Sequence, residues 1–296
     1  MPTQPTKTQG ASYDLELIAA DGFRLAATMF APPRPNGIAV QINSASTTPR
    51  RYYAPFAAHL AERGFVVLTY DYRGVGGSGA VPARRNPASL LAWGGLDQAA
   101  ASAFLRANFA DRALMVIAHS VGGQLLGLSR HAGEIRAALL VCAGQGWWRA
   151  WPDWCGRLKR LWTWRVAAPL AVPLFGYLPG WVRGRGVDTP PGITRDTMRF
   201  SRSPHFFCHD DGSPMRPYNE DLRAPLRLLL LSDDSIVPPG AEIDLDSFYP
   251  NAAGQIDRLT PGQFGVQTVG HFGFFREQVA STAWADAADW LATHAT

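Results

Sequence analysis

The sequence predicts an α/β protein, with a mainly parallel, eight-stranded sheet flanked by helices and an inserted helical segment. Three observations carry that expectation. Short β-branched or apolar runs alternate with stretches of helical periodicity, as in βαβ units. Several of those runs are nearly all apolar, as strands covered on both faces are. The alternation also stops near Gly146 and resumes near Pro225, which marks an insertion between two strands.

Taken in order, Asp14–Ile18 and Leu25–Phe30 are the first strands, and "ADGFRL" joins them as a hairpin at one sheet edge. The runs Ile38–Asn43, Phe65–Asp71, Leu114–Ala118, Ala137–Cys142, Leu226–Leu231 and Gln255–Leu259 supply the other six. Helices are expected at Tyr53–Arg63, Leu96–Asn108, Val121–His131, Gly240–Phe248 and Glu277–Ala292. Residues 1–145 and 221–296 then form a core, and 146–220 an inserted cap. Seven of the ten tryptophans fall in that cap. Its eleven basic and six acidic residues give it a net +5, more than the +4 of the whole chain.

Composition excludes some functions. With 47% hydrophobic and 18% charged residues, the chain is of ordinary globular composition and not a disordered one. Of its 28 basic residues only Lys7 and Lys159 are lysines, and no basic stripe or known module points to nucleic acid. Cys142, Cys155 and Cys208 have no metal-type or disulfide spacing and read as reduced thiols of a cytoplasmic protein. The opening "MPTQPTKTQG" has no apolar stretch of a secretory signal. The run Val166–Val182 contains three prolines, so it reads as a kinked buried or interfacial segment and not as a span. No membrane contact is expected.

The chemistry starts from "MVIAHSVGGQ". An apolar strand leads to Ser120, small residues Ala118, Gly122 and Gly123 flank it, and a helix start follows. That is what a nucleophile elbow needs, although alanine stands where G-x-S-x-G has its first glycine. An ordinary serine in a βα loop would read the same way locally. A carboxylate is expected beyond a later strand, and "LRLLLLSDDSIVPP" offers Asp234, with Asp233 as the alternative acid. The base is expected last, and "VQTVGHFGFF" places His271 on the loop before the final helix. Three matches in the order Ser120, Asp234, His271 weigh more than any one. The oxyanion donors would be the N–H of Val121 and, from "QINSASTTPRRYY", that of Ala45, with Ser44 contributing through its hydroxyl or capping the loop.

These residues resemble the α/β-hydrolase superfamily over about Leu15 to Leu291. "YDYRGVGGSG" is similar to the D-x-R-G-x-G-x-S loop of many members, where Asp71, Arg73 and Gly74 would hold the loop. "GWWRAWP" and "GHFGFF" also look like a bacterial group of predicted α/β hydrolases. Its usual "NGATG" and Gly-His-Ser are "NSAST" and Ala118-His119-Ser120 here. The resemblance implies a serine hydrolase without naming a substrate. Serine at position 120 excludes the aspartate-nucleophile chemistry of the same fold.

The expected reaction is cleavage of a carboxylic ester or thioester through an acyl-enzyme, with no metal or organic cofactor. Acyl transfer on the same residues and a non-catalytic binding protein are the alternatives. Trp147, Trp151 and Trp154, with Leu158 and Leu161, recur at helical spacing. Packing of cap on sheet is the first reading of that stripe. An aromatic-lined pocket for a small hydrophobic or aromatic acyl substrate, formed by Trp147, Trp151 and Trp154, is the second.

Overall fold

The computed structural model describes residues 11–79, 81–184 and 187–295. The "MPTQPTKTQG" stretch lies outside the described residues. In chain order come β1 (Ala11–Ile18), β2 (Arg24–Ala31), β3 (Ile38–Asn43), α1 (Ala54–Glu62), β4 (Val66–Tyr70), α2 (Leu90–Ala92) and α3 (Ala99–Asn108). Then follow β5 (Ala113–His119), α4 (Val121–Gln124), β6 (Ala137–Val141), α5 (Trp154–Trp162), α6 (Ala168–Phe175) and α7 (Pro191–Phe200). The chain closes with β7 (Pro225–Leu231), α8 (Leu245–Phe248), β8 (Ala253–Leu259), α9 (Gly270–Gly273) and α10 (Ala285–Ala292).

All eight predicted strands lie in one sheet, ordered β1-β2-β4-β3-β5-β6-β7-β8. The expected edge hairpin is there: β1 and β2 are antiparallel, as are β2 and β4, and every later pairing is parallel. Parallel pairing puts the carboxyl ends of β3 and β5 to β8 at one sheet edge. Asn43 is opposite Ala118, His119 opposite Val141 and Val141 opposite Leu229. Successive residues of β5 feed opposite cores. Leu114, Val116 and Ala118 join the cluster that includes Trp93, Leu105 and Phe248. Met115 and Ile117 join the one that includes Phe56, Leu60, Trp284 and Leu291.

Two predicted helices are corrected. Instead of a helix over Val121–His131, α4 is a single turn, followed by a separate 3₁₀ turn at Leu126–Leu128. Gly122, Gly123 and Gly127 are poor helix formers, and the Gly123 carbonyl accepts a hydrogen bond from Tyr249 Oη at 2.5 Å. A Cβ at Gly127 would lie 2.2 Å from the Asn219 side chain. Of the helix expected over Gly240–Phe248, only α8 forms. The preceding backbone is spent on the loop after β6, where Gln145 N–H donates to Ala241 and Ile243 N–H to Ala143.

The segment between β6 and β7 is largely helical. Asp153 caps α5 by accepting the Gly156 N–H at 2.6 Å. A π turn, Thr163–Ala167, continues α5 into α6, which ends at Gly176 with φ +80°. The segment is tied to the core through α7, whose Asp196 accepts the N–H of Leu90 at 2.7 Å. Among the described residues no helix is long and apolar enough to cross a membrane.

Candidate active site

Ser120 is the residue between β5 and α4, with φ +54° and ψ −119°. A non-glycine residue held there costs about 1–3 kcal/mol, which the surrounding structure must supply. Its own N–H donates to Val141 O, and its carbonyl accepts the Gly123 N–H. Crowding accounts for one small neighbour, since a Cβ at Gly122 would lie 2.7 Å from Asn43 O and 2.9 Å from Ser44 O. Ala118 is wholly buried, so its methyl, absent from the usual elbow, is part of the core.

Asp234 and His271 are brought together. Asp234 Oδ2 lies 2.7 Å from His271 Nδ1, and both residues are buried. The other oxygen, Oδ1, accepts the N–H groups of Ile236 at 2.7 Å and Val237 at 2.9 Å. Burial alone would raise the Asp234 carboxyl. The hydrogen bond and charge of His271, with those two N–H groups, outweigh it and hold the group below its ordinary 3.8. Asp233, the alternative acid, instead accepts the N–H groups of Val269 and Gly270 at 2.8 and 3.0 Å. It holds the loop that carries His271.

A buried hydrogen-bond chain links three loops around Ser120, and sequence reasoning missed it. Ala45 N–H donates to Tyr53 Oη at 2.8 Å, and Tyr53 Oη lies 2.9 Å from His119 Nδ1. On its other side, His119 Nε2 lies 2.9 Å from the His271 carbonyl oxygen. A carbonyl only accepts, so Nε2 carries the proton, Nδ1 accepts, and Tyr53 donates to it. Burial, then the charge of His271, holds the His119 ring well below its ordinary 6.5 and therefore neutral. No local signal marked Tyr53, which lies 66 positions from its partner. His119 lies inside the elbow motif, whose spelling assigns that position no role.

This chain corrects one expectation. The Ala45 N–H, read as the second oxyanion donor, is already bonded to Tyr53. Val121 begins α4, where the first N–H groups of a helix have no intrahelical acceptor. Ser44 is buried, and its hydroxyl has no hydrogen-bond partner among the described residues. Cys142, with φ +51°, lies beside the pair. Its Sγ, an Asp234 oxygen and a His271 nitrogen fall within 4.8 Å of one another, the one metal-type grouping among the described residues. Burial, then the Asp234 charge, raises the Cys142 thiol well above its ordinary value. A metal ligand would have to be thiolate, so the fit is poor.

The aromatic pocket is also corrected. Trp154 is 71% exposed and Leu158 53%, so the predicted stripe does not pack on the sheet. Trp151 is buried, with the Arg160 guanidinium over its ring, and Trp147 is half-buried. A cavity of about 350 Å³ lies elsewhere, lined by Thr47, Gly76, Asn86, Trp93, Asp188 and Ile193 among others. It joins the loop after β3, the loop after β4 and the inserted segment. Ser120 and His271 are not in its lining. Asp71 and Arg73 hold the β4 loop as anticipated: Asp71 accepts from Arg50 and Gly77, and Arg73 pairs with Asp21 and Asp97.

The eight-stranded sheet, the strained serine and the acid–histidine pair past the strand ends define an α/β hydrolase. Residues 40–197, more than half of the chain, match the family model described as serine aminopeptidase, S33. The chain belongs to that hydrolase family. The match includes Ser120 but ends before Asp234 and His271. No match was found among curated proteins.

Solved structures share the fold at low identity. A Pyrococcus furiosus esterase is 17% identical, with 99% of this chain and 95% of that one covered, at a TM-score of 0.59. A hypothetical protein of Pseudomonas aeruginosa is 16% identical over 97% and 94%, at 0.65. The esterase domain of a Rhodothermus marinus protein is 16% identical over 96% and 99%, at 0.57.

Proposed function

We propose that the protein is a serine hydrolase that cleaves a carboxylic ester or thioester through an acyl-enzyme, with Ser120, Asp234 and His271 as its triad. The observation that carries the reading is the Asp234–His271 hydrogen bond at 2.7 Å, at the same sheet edge as a serine held at positive φ. Esterases among the fold neighbours agree with it.

Ser120 Oγ attacks the carbonyl carbon while His271 Nε2 takes its proton. Asp234 keeps the proton of the ring on Nδ1 and stabilises the imidazolium. The Val121 N–H and the Ser44 hydroxyl, unpartnered among the described residues, receive the oxyanion. His271 then protonates the leaving alcohol or thiol, and water repeats the sequence on the acyl-enzyme. Residues 146–220 act as a cap over the site and shape the pocket. The substrate is a small acyl compound, and the three unpaired cysteines agree with a cytoplasmic setting.

Intact-protein mass after a fluorophosphonate probe tests the reading. One adduct is expected on wild type and none on Ser120→Ala. An ester, thioester and aminoacyl-amide panel then ranks the bond types, and Ser44→Ala should lower kcat by about 10²-fold. An unlabelled, folded wild type with no turnover would favour the binding-protein alternative.

A further inference from the structure

The outer face of α5 and α6 is apolar, exposed and edged with positive charge. Trp154, Leu158, Trp162, Val166, Leu170 and Leu174 stand at strict four-residue intervals, and all but Val166 are more than half exposed. In an α-helix a four-residue step drifts by about 40° per step. The wider π turn at Thr163–Ala167 offsets that drift at mid-length, so the ladder keeps to one side. The inner side is different. Trp164, Ala168 and Ala171 pack with Leu178 in a small cluster of their own.

Charge decides what this face meets. Residues 154–175 contain four basic residues, Arg157, Lys159, Arg160 and Arg165, and no acidic one. Asp153, just before them, is occupied by the Gly156 N–H. Among the described residues Arg157, Lys159 and Arg165 form no ion pair. At the far end, Gly176 abuts exposed Arg84. A second copy docking here would set four cations of each copy against four of the other, with Asp153 the one carboxylate at the start of the ladder. A bilayer with anionic headgroups satisfies both features, because apolar side chains enter the acyl boundary while the basic flanks meet phosphate. Tryptophan suits that boundary, being apolar in its ring and polar at its N–H.

We infer that the α5–α6 face is an interfacial anchor that lies in an anionic lipid surface. This reverses the expectation of no membrane contact. The inference does not depend on the ester reading, since binding is read without turnover.

The test is co-sedimentation of the full chain with vesicles of phosphatidylcholine mixed with phosphatidylglycerol, against phosphatidylcholine alone. Wild type should bind the mixed vesicles at least about tenfold more tightly, and added salt should weaken that binding. Leu158→Gln/Trp162→Gln/Leu170→Gln, checked for an unchanged Tm, should lose binding to both. Lys159→Glu/Arg165→Glu should lose only the preference for the mixed vesicles. Absence of binding by wild type would overturn the inference, as would binding that survives the triple substitution. Sedimentation velocity supplies a further contrary outcome: a wild-type dimer that the triple variant makes monomeric, without vesicle binding, would assign the face to a second copy.

Discussion

The loops at the carboxyl edge of the sheet and the outer face of the inserted helices obey opposite rules. At the sheet edge, the buried polar groups around the acid–histidine pair are partnered, while the Asn43 amide nitrogen, the Ser44 hydroxyl and the Gln145 amide oxygen have no partner among the described residues. Asp234 uses both oxygens, His119 uses both ring nitrogens, and Asp233 ties down the loop of His271. On α5, no residue is buried at all. A buried polar atom left unpaired destabilises the fold, so the paired groups of the first region constrain one another's positions. Exposed apolar atoms impose no such condition on the isolated chain. Geometry at the sheet edge is therefore set from within, whereas the outer helical face takes its meaning from what it meets.

The largest break in that comparison is at the acid. Asp234→Asn should leave the protein folded and lower kcat by about 10⁴-fold, because His271 would lose the anion that fixes its tautomer. Asp233→Asn keeps an amide oxygen that can accept the same two backbone N–H groups and removes only the charge that strengthens them, so the expected loss is at most about tenfold. Steady-state kinetics on one activated ester, with both variants side by side, separates the two aspartates. Equal losses would return Asp233 to contention as the acid.

Tyr53→Phe probes the buried chain at its middle. Without the hydroxyl, Ala45 N–H and His119 Nδ1 both lose their partner, and a buried unpaired group costs about 1–3 kcal/mol. Thermal unfolding should register that loss, and kcat should fall about tenfold with KM little changed as the His271 loop loosens. A rise in kcat would mean that the freed Ala45 N–H had become an oxyanion donor.

The same chain gives a pH test. The folded His119 ring has a pKa below its ordinary 6.5, so the unfolded chain binds the extra proton below that pH. Its contribution to stability is present above 6.5 and is lost as the pH falls, at about 1.4 kcal/mol per pH unit. Asp97 works the other way over part of the range. Burial pushes it up to about 6, so its proton stabilises the fold as the pH drops. The measurement is therefore the difference in unfolding free energy between wild type and His119→Gln from pH 7 to pH 5. The gap should narrow on acidification, and a constant gap would remove His119 as the titrating group.

What could be read from the sequence follows the same division. The strands were legible because burial on both faces leaves long apolar runs, and Ile38–Asn43 is found with its expected bounds. The positions of Ser120, Asp234 and His271 beyond strand ends were legible because the apolar strand runs that precede them were. The Tyr53–His119 link was not, since nothing local marks a contact across 66 positions. The outer stripe misled for a related reason. Helical spacing reveals that Trp154 and Leu158 share a face, but whether that face meets the sheet or solvent depends on how the helix is docked.

The smallest effect sharpens the contrast. Leu140 is fully buried in β6, and Leu140→Ala should cost about 2–5 kcal/mol through lost burial and the cavity left behind. Leu158→Ala, on the exposed face of α5, removes the same atoms and should change stability by less than about 0.5 kcal/mol. Alanine is also the better helix former, which works slightly in its favour. Chemical denaturation of both variants in dilute solution reads the pair directly. A cost at Leu158 approaching that at Leu140 would mean the outer face is covered in the protein as it exists in solution. If that cost also fell on dilution, the cover would be a second copy of the chain.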